Sequence, residues 1–313
     1  MGVNLRPIIV KNSIDMENLK NRIITIDASN IIHQFLSTIR QPNGTPLTDS
    51  EGNITSHLVG LFYRTLRLLK DFSIKPVYVF DGEMPDVKFD IVEKRKIRRE
   101  KAAEKWIEMK KKKSNEEAFR EAVKSAVISP QMIQDSKKLL NFLGLPTVQA
   151  LGEAEAQCAY MTKNAKVFAM NSRDYDSLLF GAKILLRYLT ISSKRNVEII
   201  KLDEFLKHHK ITREQLVDIG ILIGTDYNDG IYGVGPKTSL KLIKQYERIE
   251  NIPTKYLDAL DENFLEIRNL FLNPVVTDEY SLRFSEPDRS GLINFLCEER
   301  GFPKERVINN LEK

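Results

Sequence analysis

Seven carboxylates stand where they could share one site. Asp27 and Asp81 each follow the last apolar residue of a short run, Ile23-Ile24-Thr25-Ile26 and Pro76-Val77-Tyr78-Val79-Phe80. Two further pairs are spaced i, i+2: Glu153 and Glu155 in Gly152-Glu153-Ala154-Glu155-Ala156, and Asp174 and Asp176 in Ser172-Arg173-Asp174-Tyr175-Asp176. The seventh is Asp226, in Gly224-Thr225-Asp226-Tyr227. Taken singly, each reads as readily as a helix cap or a first-turn acid facing the helix dipole. Like charges two residues apart repel, however, and a cation relieves that repulsion. Oxygen donors with no His or Cys in the pattern select Mg2+ or Mn2+ over zinc. Seven are too many for one Mg2+, which keeps most of its waters, and they suit two ions. Such a pair, about 4 Å apart, can activate a water and stabilise the leaving oxygen in phosphodiester hydrolysis.

The elements that must hold these acids follow from the apolar pattern. The two runs read as buried parallel strands. Between them, residues 56–69 have helical spacing in Leu58, Leu61, Phe62, Thr65, Leu66 and Leu69, which makes a βαβ unit. Further strands are expected at 166–170 and 184–186, with a β element at 196–200. Ligands of open α/β sheets sit beyond the carboxyl ends of the strands, which sends Asp27 and Asp81 into one crevice. From Ile211 onward the chain reads as helical, interrupted by Gly230, Gly233 and Gly235. Gly233-Val234-Gly235-Pro236-Lys237, ahead of a helical run at 238–246, has the pattern of a helix–hairpin–helix. There the glycines admit a phosphate close to the backbone and the helix N-terminus favours the anion.

The charge is unevenly spread. The 313 residues carry a net +5, yet residues 88–113 alone hold twelve Lys and Arg against five Asp and Glu. The remainder is therefore slightly acidic. A basic segment beside an acidic pocket suits a polyanion handled through metals. Residues 88–128 are charged and helix-favouring with few apolar positions, as expected of an insertion packed loosely on the domain. Cys158 and Cys297 lie far apart without metal-ligand spacing and read as free thiols. No apolar run is long enough for a membrane span, and the start lacks a signal-peptide core, so a soluble, intracellular protein is expected.

In these residues the chain resembles the flap endonuclease family of the archaeal and eukaryotic type, over nearly its whole length. The similarity is carried by Ile26-Asp27-Ala28-Ser29, by Ser56-His57-Leu58 with Phe62-Tyr63-Arg64-Thr65, and by Lys75-Pro76-Val77-Tyr78-Val79-Phe80-Asp81-Gly82. It continues through Gly152-Glu153-Ala154-Glu155-Ala156-Gln157-Cys158-Ala159, Asp174-Tyr175-Asp176-Ser177-Leu178-Leu179-Phe180-Gly181, Gly224-Thr225-Asp226-Tyr227, the Gly233-to-Lys237 hairpin and Phe271-Leu272-Asn273-Pro274.

The resemblance implies an α/β fold in which helices flank a central, mostly parallel sheet, a PIN-like 5′-nuclease core. A helical arch and a helix–hairpin–helix subdomain are added to it. The core would occupy 1–87 and 129–225, the arch 88–128, and the helix–hairpin–helix region with C-terminal helices 226–313. Asp27, Asp81, Glu153, Glu155, Asp174, Asp176 and Asp226 would hold two Mg2+, with Mn2+ able to substitute. Lys88 and Arg95, two helical turns apart on the arch, would act as catalytic cations. DNA contacts are expected at Gly2, His33, Arg64, Arg67, Gly233, Gly235 and Lys237, and a K+ held by hairpin carbonyls. Loss of Met1 would bring the Gly2 amine near the site. The implied activity is 5′ flap endonuclease and 5′-3′ exonuclease on branched DNA, in Okazaki-fragment maturation and base-excision repair. A monomer is expected, in the cytoplasm of an archaeon or the nucleus of a eukaryote.

Three features depart from the family pattern. His33 stands where a base-stacking Tyr is usual, Leu151-Gly152 stands where Pro-Ser usually precedes Glu153, and the chain reaches Lys313 without the Gln-x-x-Leu-x-x-Phe-Phe motif through which the family binds the sliding clamp. Competing readings are a bubble-directed nuclease of the excision-repair branch, a catalytically dead DNA-binding module and an RNA-cleaving toxin of related fold. The first lacks its long insertion here, the second contradicts seven intact acids, and the third is far shorter.

Overall fold

The computed structural model describes residues 2–83, 101, 104, 127–189, 197–260 and 262–312. Lys88, Arg95 and nearly all of the expected arch at 88–128 lie outside them. The described strands are Asn12–Ile14 (β1), Ile23–Asp27 (β2), Lys75–Phe80 (β3), Thr147–Gln149 (β4), Ala169–Asn171 (β5), Ile184–Arg187 (β6) and Val197–Lys201 (β7). The chain divides into two compact units, one of residues 1–27, 81–91 and 149–279, the other of 28–80, 92–148 and 280–313.

In the first unit the strands run in the order β1-β7-β6-β5-β2. β2, β5 and β6 are parallel, as their apolar runs require, while β6–β7 and β7–β1 are antiparallel. The sheet is therefore mixed, with its antiparallel part at the β1 edge. Ile24 pairs with Ala169 and Ile26 with Asn171, so Asp27 at the end of β2 comes level with Ser172, the residue that follows β5. The strand expected at 166–170 begins later, because the chain is still turning after the helix Ala154–Lys163, with Ala165 at φ 55°. The helix Arg213–Ile223 opens on a capping box in which Thr212 and Gln215 satisfy each other's backbone N–H groups. Pro236 at its first turn starts the helix Pro236–Tyr246 two residues ahead of the expected run.

In the second unit the helix Ser56–Lys70 buries Leu58, Leu61, Phe62 and Leu66, the stripe read from sequence. The helix Ala28–Thr38 comes so close that a Cβ on Gly60 would lie 2.2 Å from the Phe35 ring. Thr65 Oγ1 and the buried Tyr78 hydroxyl are 2.6 Å apart, tying that helix to β3. His57 is fully buried, and neither ring nitrogen finds a partner among the described residues. Asp135 and Arg300 face it and bond each other at 3.0 Å. Among the described residues no helix is long and apolar enough to cross a membrane.

Candidate metal and nucleic-acid site

All seven acids belong to the first unit. β2 delivers Asp27, buried, at its last position. Asp81 is placed by a backbone bridge. The Gly82 N–H donates to Gly152 O at 2.7 Å and the Glu83 N–H to Leu151 O at 2.9 Å, while Asp81 Oδ1 accepts the Ala154 N–H at 2.9 Å. Only glycine fits in that bridge, since a Cβ on Gly82 would stand 2.2 Å from Ala150 O. Asp81 thus caps the same helix, Ala154–Lys163, that carries the Glu153/Glu155 pair at its start.

Glu155 lies at the electrostatic centre. Desolvation, then Asp176, Asp174, Asp27 and Glu153, push its carboxyl well above the ordinary carboxylate range. Its Oε1 accepts the Ser177 N–H at 3.1 Å and the Ser172 hydroxyl at 3.3 Å, so the Asp174–Asp176 segment is fastened to the acid it repels. Asp176, also buried, accepts the Val3 N–H at 2.6 Å. A Cβ on Gly2 would meet Asp176 Oδ2 at 2.7 Å, so the chain's second residue lies against this pair. Asp226 is joined through the next residue, Tyr227, whose hydroxyl donates to Glu153 Oε2. Burial and the Glu153 charge push that phenol far up, so it stays protonated. Beneath the acids Cys158 is fully buried, and desolvation, with Asp27 beside it, raises its thiol well above the ordinary value.

The acids gather without closing on one point. Among the described residues no three His, Cys, Asp or Glu side chains form a ready metal cage. The donor set nevertheless fits a hard divalent cation, because every candidate ligand is a carboxylate and their mutual repulsion is what such an ion neutralises. Asn171 Oδ1, at the end of β5, is buried without a partner among the described residues.

The glycine hairpin belongs to the same unit. Gly233 has φ 78° with open space around it, and Gly235 caps Pro236–Tyr246. Lys237, Lys241 and Lys244 follow along one helix face and, with Leu240 and Gln245, line a surface hollow of about 490 Å³. Lys237, in the first turn beside the helix N-terminus, suits a phosphate group, and Lys241 and Lys244 carry positive charge along the helix to its last turn.

The second unit carries His33, Arg64 and Arg67, all half-buried. Arg64 and Arg67 share a face of Ser56–Lys70, where burial and the neighbouring cation lower the Arg64 pKa. Sequence reasoning gave no role to Tyr227, Ser172 or Ser177. Tyr227 could have been suspected, since it adjoins Asp226, whereas the serine contacts appear only once the chain is folded.

Two family models match, the XPG N-terminal domain over residues 1–102 and the XPG I-region over 144–226, which together contain all seven acids. Flap endonuclease 1 of Pyrococcus horikoshii is 48% identical over 325 residues, covering 100% of this chain and 94% of its own. A solved flap endonuclease-1 from Methanococcus jannaschii superposes with a TM-score of 0.80 at 36% identity, covering 99% of this chain and 97% of its own. The catalytic core of Rad2 in complex with DNA substrate matches with a TM-score of 0.72 at 25% identity, over 96% and 94% of the two chains. Identity of this degree across the full length, on a mixed sheet that ends in clustered acids, makes the chain a nuclease belonging to the flap endonuclease family.

Proposed function

We propose that the chain hydrolyses DNA phosphodiesters at 5′ flaps and from 5′ ends at nicks, with two divalent cations held by its carboxylates. The observation that carries this reading is the gathering of Asp27, Glu153, Asp174 and Asp176 around the buried Glu155 carboxyl, whose ionisation all four oppose. Glu153, Glu155, Asp174 and Asp176 would hold the ions together with Asp27, Asp81 and Asp226, and Mg2+ with Mn2+ as its substitute suits these oxygens. Bound there, the ions would supply an activated water and stabilise the leaving oxygen. The chain's own part is to fix the acids: Ala154 N–H on Asp81, Val3 N–H on Asp176, Ser177 N–H on Glu155. The hairpin of Gly233 and Gly235, with Lys237 and a K+ on its carbonyls, would grip the duplex, and Arg64, Arg67 and His33 would contact it as well. Seven carboxylates and two divalent ions sum to −3, so cations from outside the acid shell must meet the scissile phosphate. Lys88 and Arg95 are assigned that role from their place in the sequence. Removal of flaps in Okazaki-fragment maturation and base-excision repair is the corresponding cellular role.

Labelled 5′-flap, bubble and nicked duplexes, incubated with EDTA, Mg2+ or Ca2+, test the reading. Flap cleavage in Mg2+ alone is the expected pattern, and preference for the bubble would reassign the substrate. Asp176→Asn should lower the single-turnover rate by orders of magnitude while flap binding stays within a few-fold, because the lost ligand acts on the transition state. Near-normal cleavage by this variant in saturating Mg2+ would remove Asp176 from the site.

A further inference from the structure

We infer that Tyr227 is a positioning residue for the metal centre, its hydroxyl fixing the Glu153 carboxylate in the orientation that receives a divalent cation. The inference rests on the metal reading above and extends it to a residue that lies outside the seven acids.

The geometry has three parts. The Tyr227 hydroxyl donates to Glu153 Oε2, which fixes one carboxylate oxygen in place. Glu153 itself is the N-cap position of Ala154–Lys163 in extended backbone and makes no side-chain capping bond, so its carboxylate is not used to start the helix. The tyrosine in turn is held at both ends. Its N–H donates to Thr225 Oγ1 at 3.0 Å, the Thr225 hydroxyl donates to Asn228 Oδ1 at 2.9 Å, and Asn228 Nδ2 donates to Ile221 O at 2.8 Å. Its ring meets Phe271 edge-on, with centroids 5.2 Å apart. The turn from Gly224 to Asn228 therefore does two things at once: it presents Asp226 and it anchors the phenol that orients Glu153.

A carboxylate next to other carboxylates would otherwise rotate away from them, and a neutral donor, here a phenol O–H, opposes this without adding charge to compete with the cation. Removing such a partner of a metal ligand typically costs 10- to 100-fold in metal affinity.

The test is Mn2+ binding to the DNA-free protein, followed by electron paramagnetic resonance, for the parent, Tyr227→Phe, Glu153→Gln and the double variant. Phenylalanine keeps the ring on Phe271, and a thermal melt without metal checks that the fold is retained. The expected result is Mn2+ affinity at least 10-fold weaker for Tyr227→Phe, a melting temperature near the parent's, and no further loss when Tyr227→Phe is added to Glu153→Gln. A matching rise in the Mg2+ concentration needed for half-maximal flap cleavage should accompany it. If the parent binds Mn2+ and Tyr227→Phe binds it equally well, the positioning role is overturned and the metal reading stands. If the parent itself binds no Mn2+, the metal reading fails and the inference fails with it. Losses that add in the double variant would also overturn it, since the tyrosine would then act by a route other than Glu153.

Discussion

At the scale of single residues, the second unit stores an acid sensitivity that has no connection to the chemistry. His57 is enclosed, and burial, opposed by Asp135 and assisted by Arg300, lowers its pKa from 6.5 to about 4. A base with a depressed folded pKa binds fewer protons folded than unfolded between those two values. Its contribution is therefore complete above pH 6.5 and is lost as the pH falls through 6.5 toward 4. At 1.36 kcal/mol per pH unit the loss by pH 5 is about 2 kcal/mol. Urea unfolding of the parent and of His57→Gln at pH 7.5 and 5.0 measures it. The parent should lose about 2 kcal/mol more than the variant between the two pH values, and equal losses would mean that His57 titrates normally. The carboxylates, by contrast, were legible as residue types before any fold was known. Acids spaced i, i+2 are costly enough to need a reason, and two such pairs in one chain already pointed to a cation.

At the scale of elements, sequence located β2 and β3 because burial on both faces leaves a continuous apolar run, and the helix Ser56–Lys70 because its buried stripe recurs at helical spacing, while the helix Pro130–Phe142 went unread. It could not locate β1 or β4, which are three residues each and draw their pairing from neighbours rather than from their own composition. The late start of β5 has the same origin, since Val167 and Phe168 are apolar whether or not the chain has finished turning. The bridge at Gly82 was equally hidden, although it decides where Asp81 stands. Gly82→Ala forces a Cβ toward Ala150 O and Leu151 O, and nearby backbone must shift. Overpacking of this kind costs about 1–3 kcal/mol. The melting temperature should drop by several degrees, and single-turnover cleavage should fall further than flap binding, because Asp81 is displaced while the hairpin cations are untouched. A variant with parental cleavage would show that Asp81 tolerates movement.

At the scale of the whole molecule, charge is segregated more than it is accumulated. The net +5 conceals a basic segment at 88–113, a lysine row at 237–244 and an acid centre around Glu155. Association with a polyanion should therefore be strongly salt-dependent despite the small net charge. The slope of log affinity against log salt for duplex binding in Ca2+ should become shallower by about one for Lys237→Ala, as for the loss of one phosphate contact. An unchanged slope would place that lysine off the DNA path. Cys158 offers a different view of the same molecule. Its thiol is sealed under the acid centre and held protonated, whereas Cys297 is partly accessible. A disulfide-exchange reagent must then wait for the protein to breathe before it can modify Cys158. The rate of that modification is a built-in clock for local opening around the acids, with Cys297 as the internal reference. Any ligand that clamps the acids together should slow the clock at one thiol and leave the other running.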